Sequence, residues 1–373
     1  MPFVNCEVFI VQSSPQLEKK SRRLLIAASG TGGHVFPAIA VAEQLPDFEI
    51  EWLGVPDRLE SQLVGDRYPI HRISVAGFQQ KLGLGTVKIL FRLIKSIWNV
   101  RQILQKGRFD GVFTTGGYIS APAIIAARSL GLPVILHESN ALPGKVTRFF
   151  APWCTTVAIG FKLAAKSLPK AKTVVVGTPV RSQFRAALSH QDKLDLPIPN
   201  DVPLIVVVGG SQGAVAMNQL VRKAAPAWFD KGAWIVHLTG ENDPDAKSLQ
   251  HSQYLALPFY QNMAALLMRS NLAISRAGAG TVTELTVTGT PAILIPFPFA
   301  AEDHQAFNAK VMVDAGAAEM FRQSELSVEQ LQRSILALLQ NRDQLEKMSI
   351  AAKSIAVIDS AEQTARLVTQ LIC

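Results

Sequence analysis

From Arg22 onward, short apolar runs alternate with stretches whose apolar residues recur every three or four positions. An apolar run of about four to seven residues bounded by glycine or proline reads as a buried strand, and a period near 3.6 residues as a helix. Strands are thereby expected at residues 22–28, 49–53, 111–115, 134–137 and 173–176, with a helix over about 35–44 after the first. The pattern breaks at the polar stretch 192–203, which carries Pro197, Pro199 and Pro203 and reads as a surface connection. It restarts at the all-apolar residues 204–208, with further strands expected at 234–238, 272–275 and 292–296. From about Ser327 the chain reads as helices rich in Leu, Ala, Gln and Glu. The fold class that follows is α/β, with two similar halves that each open with strand, glycine loop and helix and build a parallel, doubly wound sheet. Residues 1–21 read as a variable extension. They do not form a secretory signal, because no basic region precedes the short apolar piece 8–11 and Glu7 does.

The junctions between strand and helix carry the first chemical signal. Three are glycine-rich: Ser29-Gly30-Thr31-Gly32-Gly33-His34, Gly209-Gly210-Ser211-Gln212-Gly213 and Arg276-Ala277-Gly278-Ala279-Gly280-Thr281. Glycine lets the backbone turn tightly and approach a ligand. The helix that follows offers unpaired N–H groups and the positive end of its dipole, which suits a phosphate. A dinucleotide site is disfavoured: no loop is GxGxxG, and no acidic residue ends the second strand, where Gly54-Val55-Pro56 precede Asp57. A P-loop is excluded, because no Gly-Lys-Ser/Thr follows a glycine run. The three loops together point to a phosphate-bearing ligand.

Composition narrows the class. Hydrophobic residues are 48% of the 373 and charged residues 18%, which excludes a disordered chain. No apolar run reaches the roughly 18–20 residues that span a bilayer; the most apolar stretch, 292–301, contains Pro296 and Pro298 and reads as a strand with its exit loop. Cys6, Cys154 and Cys373 are scattered and odd in number, so neither a disulfide framework nor a zinc site is expected, and a reducing cytoplasm is. There is no HxH or HExxH cluster, and Glu302-Asp303-His304 cannot all face one ion in a regular element, so no metal and no cofactor are expected. His71, His190, His237 and His251 show no partner in the sequence, and His137 reads as a satisfied histidine near the core.

Six motifs, in order, resemble the MurG family of UDP-N-acetylglucosamine:undecaprenyl-pyrophosphoryl-muramoyl-pentapeptide N-acetylglucosaminyltransferases. They are Thr31-Gly32-Gly33-His34 with Pro37, Thr115-Gly116-Gly117-Tyr118, His137-Glu138-Ser139-Asn140, Gly177-Thr178-Pro179-Val180-Arg181, Gly209-Gly210-Ser211-Gln212-Gly213 and residues 276–284, covering about 22–370. The resemblance implies the GT-B fold, two Rossmann-like domains facing across a cleft, with the last helix crossing back. It implies an acceptor and membrane domain over 22–180, joined by the helix at about 350–373, and a UDP-GlcNAc-binding domain over 181–349. The implied donor residues are Ser211 and Arg181 at the diphosphate, Ala279, Gly280, Thr281, Val282, Thr283 and Glu284 at the nucleotide, with Glu284 accepting from the ribose. Gln305 is implied at the sugar and Tyr260 near the uracil, while Thr31, Gly32, Gly33 and Asn140 line the cleft. Two residues depart from the family's usual pattern: Ser29 precedes Gly30 where two glycines are common, and His304 replaces a usual Gln beside Gln305.

The implied reaction is an inverting transfer in which the acceptor 4-hydroxyl displaces UDP, giving lipid II from lipid I. Such a step needs a base at the hydroxyl and positive charge at the diphosphate. His34, at the start of a helix, is the candidate base; the alternative is that it caps the helix or binds acceptor phosphate.

An undecaprenyl-linked acceptor requires reaching a bilayer, and the charge distribution answers that requirement. The net charge is +8, yet residues 67–109 alone hold nine Lys/Arg and no Asp or Glu, so the rest of the chain carries −1. Within this stretch, 86–106 has helical periodicity: Lys88, Arg92, Lys95, Asn99, Gln102 and Lys106 form a polar stripe opposite Leu90, Ile94, Ile97, Val100 and Leu104. With Phe78, Lys81, Leu82 and Leu84 just before or at its start, the patch fits docking on an anionic membrane surface. The expected location is peripheral, on the cytoplasmic face of the bacterial inner membrane. No helix-turn-helix, RNP or zinc pattern supports nucleic acid as the partner. Two other functions stay open at this point: a UDP-sugar epimerase on the same fold, and a non-enzymatic basic binding module.

Overall fold

The computed structural model describes residues 21–56, 58–75, 84–189, 194–210 and 214–372. The first domain holds seven strands: β1 (Arg22–Ala27), β2 (Phe48–Gly54), β3 (Ile70–Arg72), β4 (Gly111–Thr114), β5 (Val134–Glu138), β6 (Thr156–Ile159) and β7 (Thr173–Val175). The second holds β8 (Leu204–Val208), β9 (Trp234–Leu238), β10 (Tyr254–Leu257), β11 (Leu272–Ser275), β12 (Ala292–Leu294) and β13 (Ala318–Met320). Each set forms one parallel sheet, ordered β3-β2-β1-β4-β5-β6-β7 and β10-β9-β8-β11-β12-β13. In both, the order reverses beside the first strand, which opens a crevice beyond the strands' carboxyl ends.

The central strands are continuous apolar runs because both faces are covered. Along β1, Leu25 and Ala27 pack on one side with Val112 and Leu136, and Leu24 and Ile26 on the other with Trp52 and Phe113. The strands expected at 204–208, 234–238 and 272–275 appear at those bounds. Four were missed: β3, β6, β10 and β13. Three of these are edge strands with partly exposed side chains, so the burial that marks a central strand is absent from their sequence. β6 is wholly buried but only four residues long, too short for periodicity to separate it from a loop.

Helices cover both sheets. In chain order they are α1 (Gly32–Ala42), α2 (Leu59–Leu63), α3 (Leu84–Lys106), α4 (Ser120–Ser129), α5 (Lys145–Phe150), α6 (Ser182–Ser189), α7 (Val215–Ala224), α8 (Pro226–Phe229), α9 (Met263–Arg269), α10 (Ala279–Thr288), α11 (His304–Asp314), α12 (Val328–Gln340), α13 (Arg342–Ser354) and α14 (Ser360–Ile372). The start of α1 corrects the sequence reading. The helix opens at Gly32 rather than near Val35, with Thr31 at its cap and the His34 and Val35 N–H groups bonded to Thr31 O at 3.0 and 3.2 Å. Gly32, Gly33 and His34 therefore belong to its first turn.

The chain crosses between domains twice. Met348 and Ala352 of α13 lie in the second domain's core, while Ala365, Val368 and Ile372 of α14 pack with Leu24 and Ile26 of the first. The return falls between Ser354 and Ser360. It runs against the outward crossing: Ser360 Oγ donates to Thr178 O at 2.9 Å, and a Cβ on Gly177 (φ 76°) would sit 2.5 Å from Val357. Only glycine fits that approach.

Candidate active site

The crevices of the two sheets face each other across a cavity of about 1560 Å³. On the first domain its wall begins with the loop between β1 and α1. Glu60, wholly buried on α2, accepts from Gly30 N at 3.2 Å and from Val55 N at 2.9 Å, so one carboxylate ties this loop to the exit of β2. His34 then projects toward the loop after β4. Its Nδ1 lies 2.7 Å from Thr115 O, and Thr115 Oγ1 donates to His34 O at 2.9 Å. A carbonyl can only accept, so in the neutral ring the proton sits on Nδ1 and Nε2 keeps its lone pair. Nε2 faces Gly117, where an added Cβ would lie 3.7 Å away.

The loop after β5 is organised by a second buried carboxylate. Glu138 Oε1 accepts from Asn140 N at 2.9 Å and Nδ2 at 3.0 Å, and its Oε2 accepts from Gly144 N at 3.2 Å. That fixes Asn140 with its Oδ1 turned to the other domain, where Asn308 Nδ2 of α11 donates to it at 3.1 Å. Asn308, fully buried, also accepts from Ala141 N at 2.8 Å and donates to Ala277 O at 3.1 Å. One side chain thus joins the 138–141 loop to the glycine loop after β11.

On the second domain, α10 points its amino end at the cavity, with Ala279, Gly280, Thr281 and Glu284 lining it. The first N–H groups of a helix lack intrahelical partners and suit an anion. Glu284 Oε1 accepts from Arg181 Nη2 at 2.9 Å. Burial pushes the Glu284 carboxyl above the ordinary glutamate range, against the pull of Arg181. The Arg181 guanidinium also stands 5.2 Å over the Phe36 ring of α1 and 5.1 Å over that of Phe184, so it spans the domain junction. Arg276 points elsewhere. It donates to Ile295 O and Pro296 O at 3.0 and 3.2 Å and fixes the exit of β12, and burial lowers its pKa to about 10.

The turn after that exit is strained. Glu302 (φ 51°, ψ 27°) and Asp303 (φ 58°, ψ 26°) are both left-handed without being glycine, at a cost of about 1–3 kcal/mol each. Gln305 follows, its Oε1 accepting from Phe297 N at 2.9 Å and Ala277 N at 3.2 Å.

Of the residues expected from sequence, Thr31, Gly32, Gly33, His34, Asn140, Arg181, Ala279, Gly280, Thr281, Glu284 and Gln305 are brought together around this one cavity. Val282 and Thr283 turn inward, Val282 into the core and Thr283 Oγ1 onto Ala279 O at 2.9 Å. The side chain of Tyr260 is 9% exposed, packed in the core with its hydroxyl on Asp195, and its neighbour Phe259 lines the cavity instead. Ser211 lies outside the described residues. Sequence reasoning missed Glu60, Asn308, Arg148 and Phe36, and noted Thr115 only as part of a motif, without its bond to His34. Each acts through a contact made only when distant segments meet.

His71, His237 and His251, left unpartnered by sequence, have partners here, and His190 lies outside the described residues. His137 is fully buried with Nε2 2.9 Å from Gly177 O, and burial lowers its pKa. His71 meets Glu51, and His251 stacks on Phe229 with centroids 4.0 Å apart. His237 joins a buried network described in the Discussion.

The basic helix α3 differs from its expected stripes. Val100 and Leu104 are buried and Ile97 packs against the same core, but Ile94 is 57% exposed. It falls in a second apolar line with Phe91 (68%) and Trp98 (60%), flanked by exposed Arg92 and Lys95. The helix reaches inward with Ser96, whose hydroxyl donates to Ser74 O at 2.8 Å, so Ile94 is rotated off the buried face. Phe78, Lys81 and Leu82 lie outside the described residues, as do the side chains of Leu84 and Lys88.

This geometry can be set beside known proteins. The glycosyltransferase family 28 N-terminal domain matches residues 24–159, and the family's C-terminal domain matches residues 204–364. A Nostoc sp. (strain PCC 7120) protein named UDP-N-acetylglucosamine--N-acetylmuramyl-(pentapeptide) pyrophosphoryl-undecaprenol N-acetylglucosamine transferase is 66% identical over 350 residues, covering 94% of this chain and 98% of its own. A Trichodesmium erythraeum protein of the same name is 62% identical over 356 residues, covering 95% and 94%. The crystal structure of Acinetobacter baumannii MurG superposes with a TM-score of 0.75 at 30% identity, covering 94% of this chain and 99% of that one. CalG4, the calicheamicin glycosyltransferase, shares the fold with a TM-score of 0.69 at 14% identity, covering 95% and 98%. With both domain matches, near full-length relatives and the two facing parallel sheets in agreement, the chain belongs to glycosyltransferase family 28, in its MurG group, with the GT-B fold.

Proposed function

We propose that the chain transfers N-acetylglucosamine from UDP-GlcNAc to the 4-hydroxyl of the muramoyl sugar of undecaprenyl-pyrophosphoryl-MurNAc-pentapeptide, releasing UDP and forming lipid II for peptidoglycan. The observation that carries this reading is the near full-length identity to transferases of that name, set on a cavity with a helix amino end on one wall and a histidine on the other. An epimerase is not favoured, because the relatives above 58% identity carry the transferase name. The protein is expected to release UDP from UDP-GlcNAc only when a lipid I analogue is added. Conversion of UDP-GlcNAc without acceptor would instead mark an epimerase, and no turnover by folded protein would remove the transferase reading.

In this reading the donor diphosphate meets the amino end of α10, Arg181 and the loop containing Ser211, which together stabilise the departing UDP. The Glu284 carboxylate accepts from the ribose hydroxyls, exchanging part of its contact with Arg181 for them. The acceptor enters along the first domain, and His34 Nε2 takes the proton from its 4-hydroxyl as that oxygen attacks the anomeric carbon. Attack and departure on opposite faces of the sugar invert the anomeric centre.

The membrane is the second element. Among the described residues no helix is long and apolar enough to cross a bilayer. Phe91, Ile94 and Trp98 recur at three- and four-residue steps on α3, and exposed Tyr118, Phe149 and Trp153 lie on the same domain. Apolar side chains beside basic ones suit the interface of an anionic leaflet, where each Lys or Arg adds about 1 kcal/mol. In this reading the protein works peripherally, at the cytoplasmic face of the inner membrane. In vesicle sedimentation it should bind phosphatidylglycerol-containing vesicles, bind less as salt rises, and lose binding when Phe91, Ile94 and Trp98 are replaced by serine. Binding that ignores salt would refute the electrostatic part.

A further inference from the structure

The strained turn that leads into Gln305 is gripped from both domains. Among the described residues only Arg108, Glu302 and Asp303 have positive φ without being glycine, and two of these are adjacent. A left-handed residue other than glycine persists only where its surroundings over-determine it. Asp303 is held within its own domain by a fork from Arg322, with Nη1–Oδ1 and Nη2–Oδ2 both 2.7 Å. Glu302 is held from across the cavity. Arg148 Nη2, on α5 of the first domain, donates to Glu302 Oε1 at 2.7 Å and also faces Oε2.

Arg148 is itself well placed to hold. Helix α5 starts from Gly144, whose N–H is bonded to Glu138, the carboxylate that orients Asn140. Lys145, one turn earlier, adds positive charge toward Glu302. On the other side, the residues after the turn line the cavity: His304, its Nδ1 pinned to Ala301 O at 2.9 Å, and Gln305. Among the described residues no hydrogen bond or ion pair joins α10, with Glu284, to α5.

We propose that Arg148 is a positioning residue for the donor sugar. Its grip on Glu302 holds the 301–305 turn in the left-handed form that directs His304 and Gln305 into the cavity, and it acts only at the domain separation seen here. The inference rests on the transferase reading of the cavity. The nucleotide would bind to the second domain alone, while the sugar would be placed only with help from the acceptor-binding domain. Donor placement is then coupled to closure around the acceptor.

The test uses the full-length protein and compares titration of UDP with titration of UDP-GlcNAc, alongside turnover. Arg148→Ala and Glu302→Ala should leave UDP affinity unchanged and weaken UDP-GlcNAc binding. They should lower kcat by roughly tenfold to a hundredfold, as expected for a misplaced reacting group. Glu302→Gly also removes the pair, but it takes the left-handed backbone freely and should recover most of kcat. The exchange of charges, Arg148→Glu with Glu302→Arg, should recover part of it. Equal loss of UDP and UDP-GlcNAc affinity would overturn the proposal, as would full turnover by Arg148→Ala, or Glu302→Gly no better than Glu302→Ala. If the wild-type protein itself released no UDP with acceptor, the transferase reading would fail, and the UDP against UDP-GlcNAc comparison would still judge the grip on its own.

Discussion

Replacing His34 with alanine is expected to lower kcat by about 10²- to 10⁴-fold, the range a positioned general base contributes. Affinity for UDP and for UDP-GlcNAc should change little, because the donor elements lie on the second domain and His34 lies on the first. The expectation follows from the tautomer. Thr115 O accepts a hydrogen bond from Nδ1–H at 2.7 Å, so Nε2 is left to accept a proton from substrate. Thr115 therefore does for His34 what a carboxylate does for the histidine of a hydrolase: it fixes which nitrogen is basic. Steady-state rates with a lipid I analogue, paired with UDP titrations, check this. If kcat stayed at the wild-type level while the acceptor KM rose, His34 would be an acceptor-phosphate ligand and not the base.

The second large effect concerns stability. In the second domain Arg222 of α7 pairs with Asp243 through Nη1–Oδ2 at 2.8 Å and Nη2–Oδ1 at 3.2 Å, both side chains being buried. Asn218 Nδ2 donates to Asp243 at 2.7 Å and to Thr239 O at 2.9 Å, so its Oδ1 accepts from His237 Nε2 at 3.0 Å. His237 Nδ1 then accepts from Tyr254 Oη at 2.7 Å. Every member is satisfied, and removing one charge strands the other. Asp243→Ala is expected to destabilise the second domain by about 3–5 kcal/mol. Thermal unfolding followed by circular dichroism would show it, and a drop no larger than that of a surface substitution would refute it.

The same network predicts a pH dependence. Burial, aided by the Arg222 charge, lowers the His237 pKa to about 3. The unfolded chain takes up this proton near pH 6.5 and the folded chain does not. Stability is therefore intact above about pH 6.5 and is lost progressively as pH falls toward 3, by an amount of order 5 kcal/mol in full. Asp243 adds to the loss only lower. Burial pushes its carboxyl up, but the bonds from Arg222, Asn218 and Asp245 N outweigh that and hold it below the usual range. His237→Gln should lower stability at pH 7 yet flatten the fall between pH 6.5 and 4. An unchanged slope would show that other groups drive acid unfolding.

The two α/β halves, the central strands other than β6 and the glycine loops after β1 and β11 were legible in the chain because each is a local signal. A strand buried on both faces must be apolar along its length, as 204–208 is, and a tight strand-to-helix turn must use glycine. The net charge was legible as a patch for the same reason, since the basic residues of 67–109 are neighbours in sequence. What chemistry the patch serves was not local. Ile94 reads as a core residue by period, and only the packing of α3 against the core, with Ser96 turned inward, leaves it outside with Phe91 and Trp98.

The amino-acid sequence by itself determined the fold class, the family and eleven of the residues around the cavity, because these depend on local pattern and on motifs whose backbone geometry only certain residues allow. Tertiary structure alone decided how those residues are held. Glu60 on Gly30, Thr115 on His34, Asn308 between Asn140 and Ala277, and Arg148 on Glu302 are contacts across 30 or more positions of chain. A carboxylate or an amide has no fixed partner until folding brings one within hydrogen-bond distance and removes the water that would otherwise satisfy it.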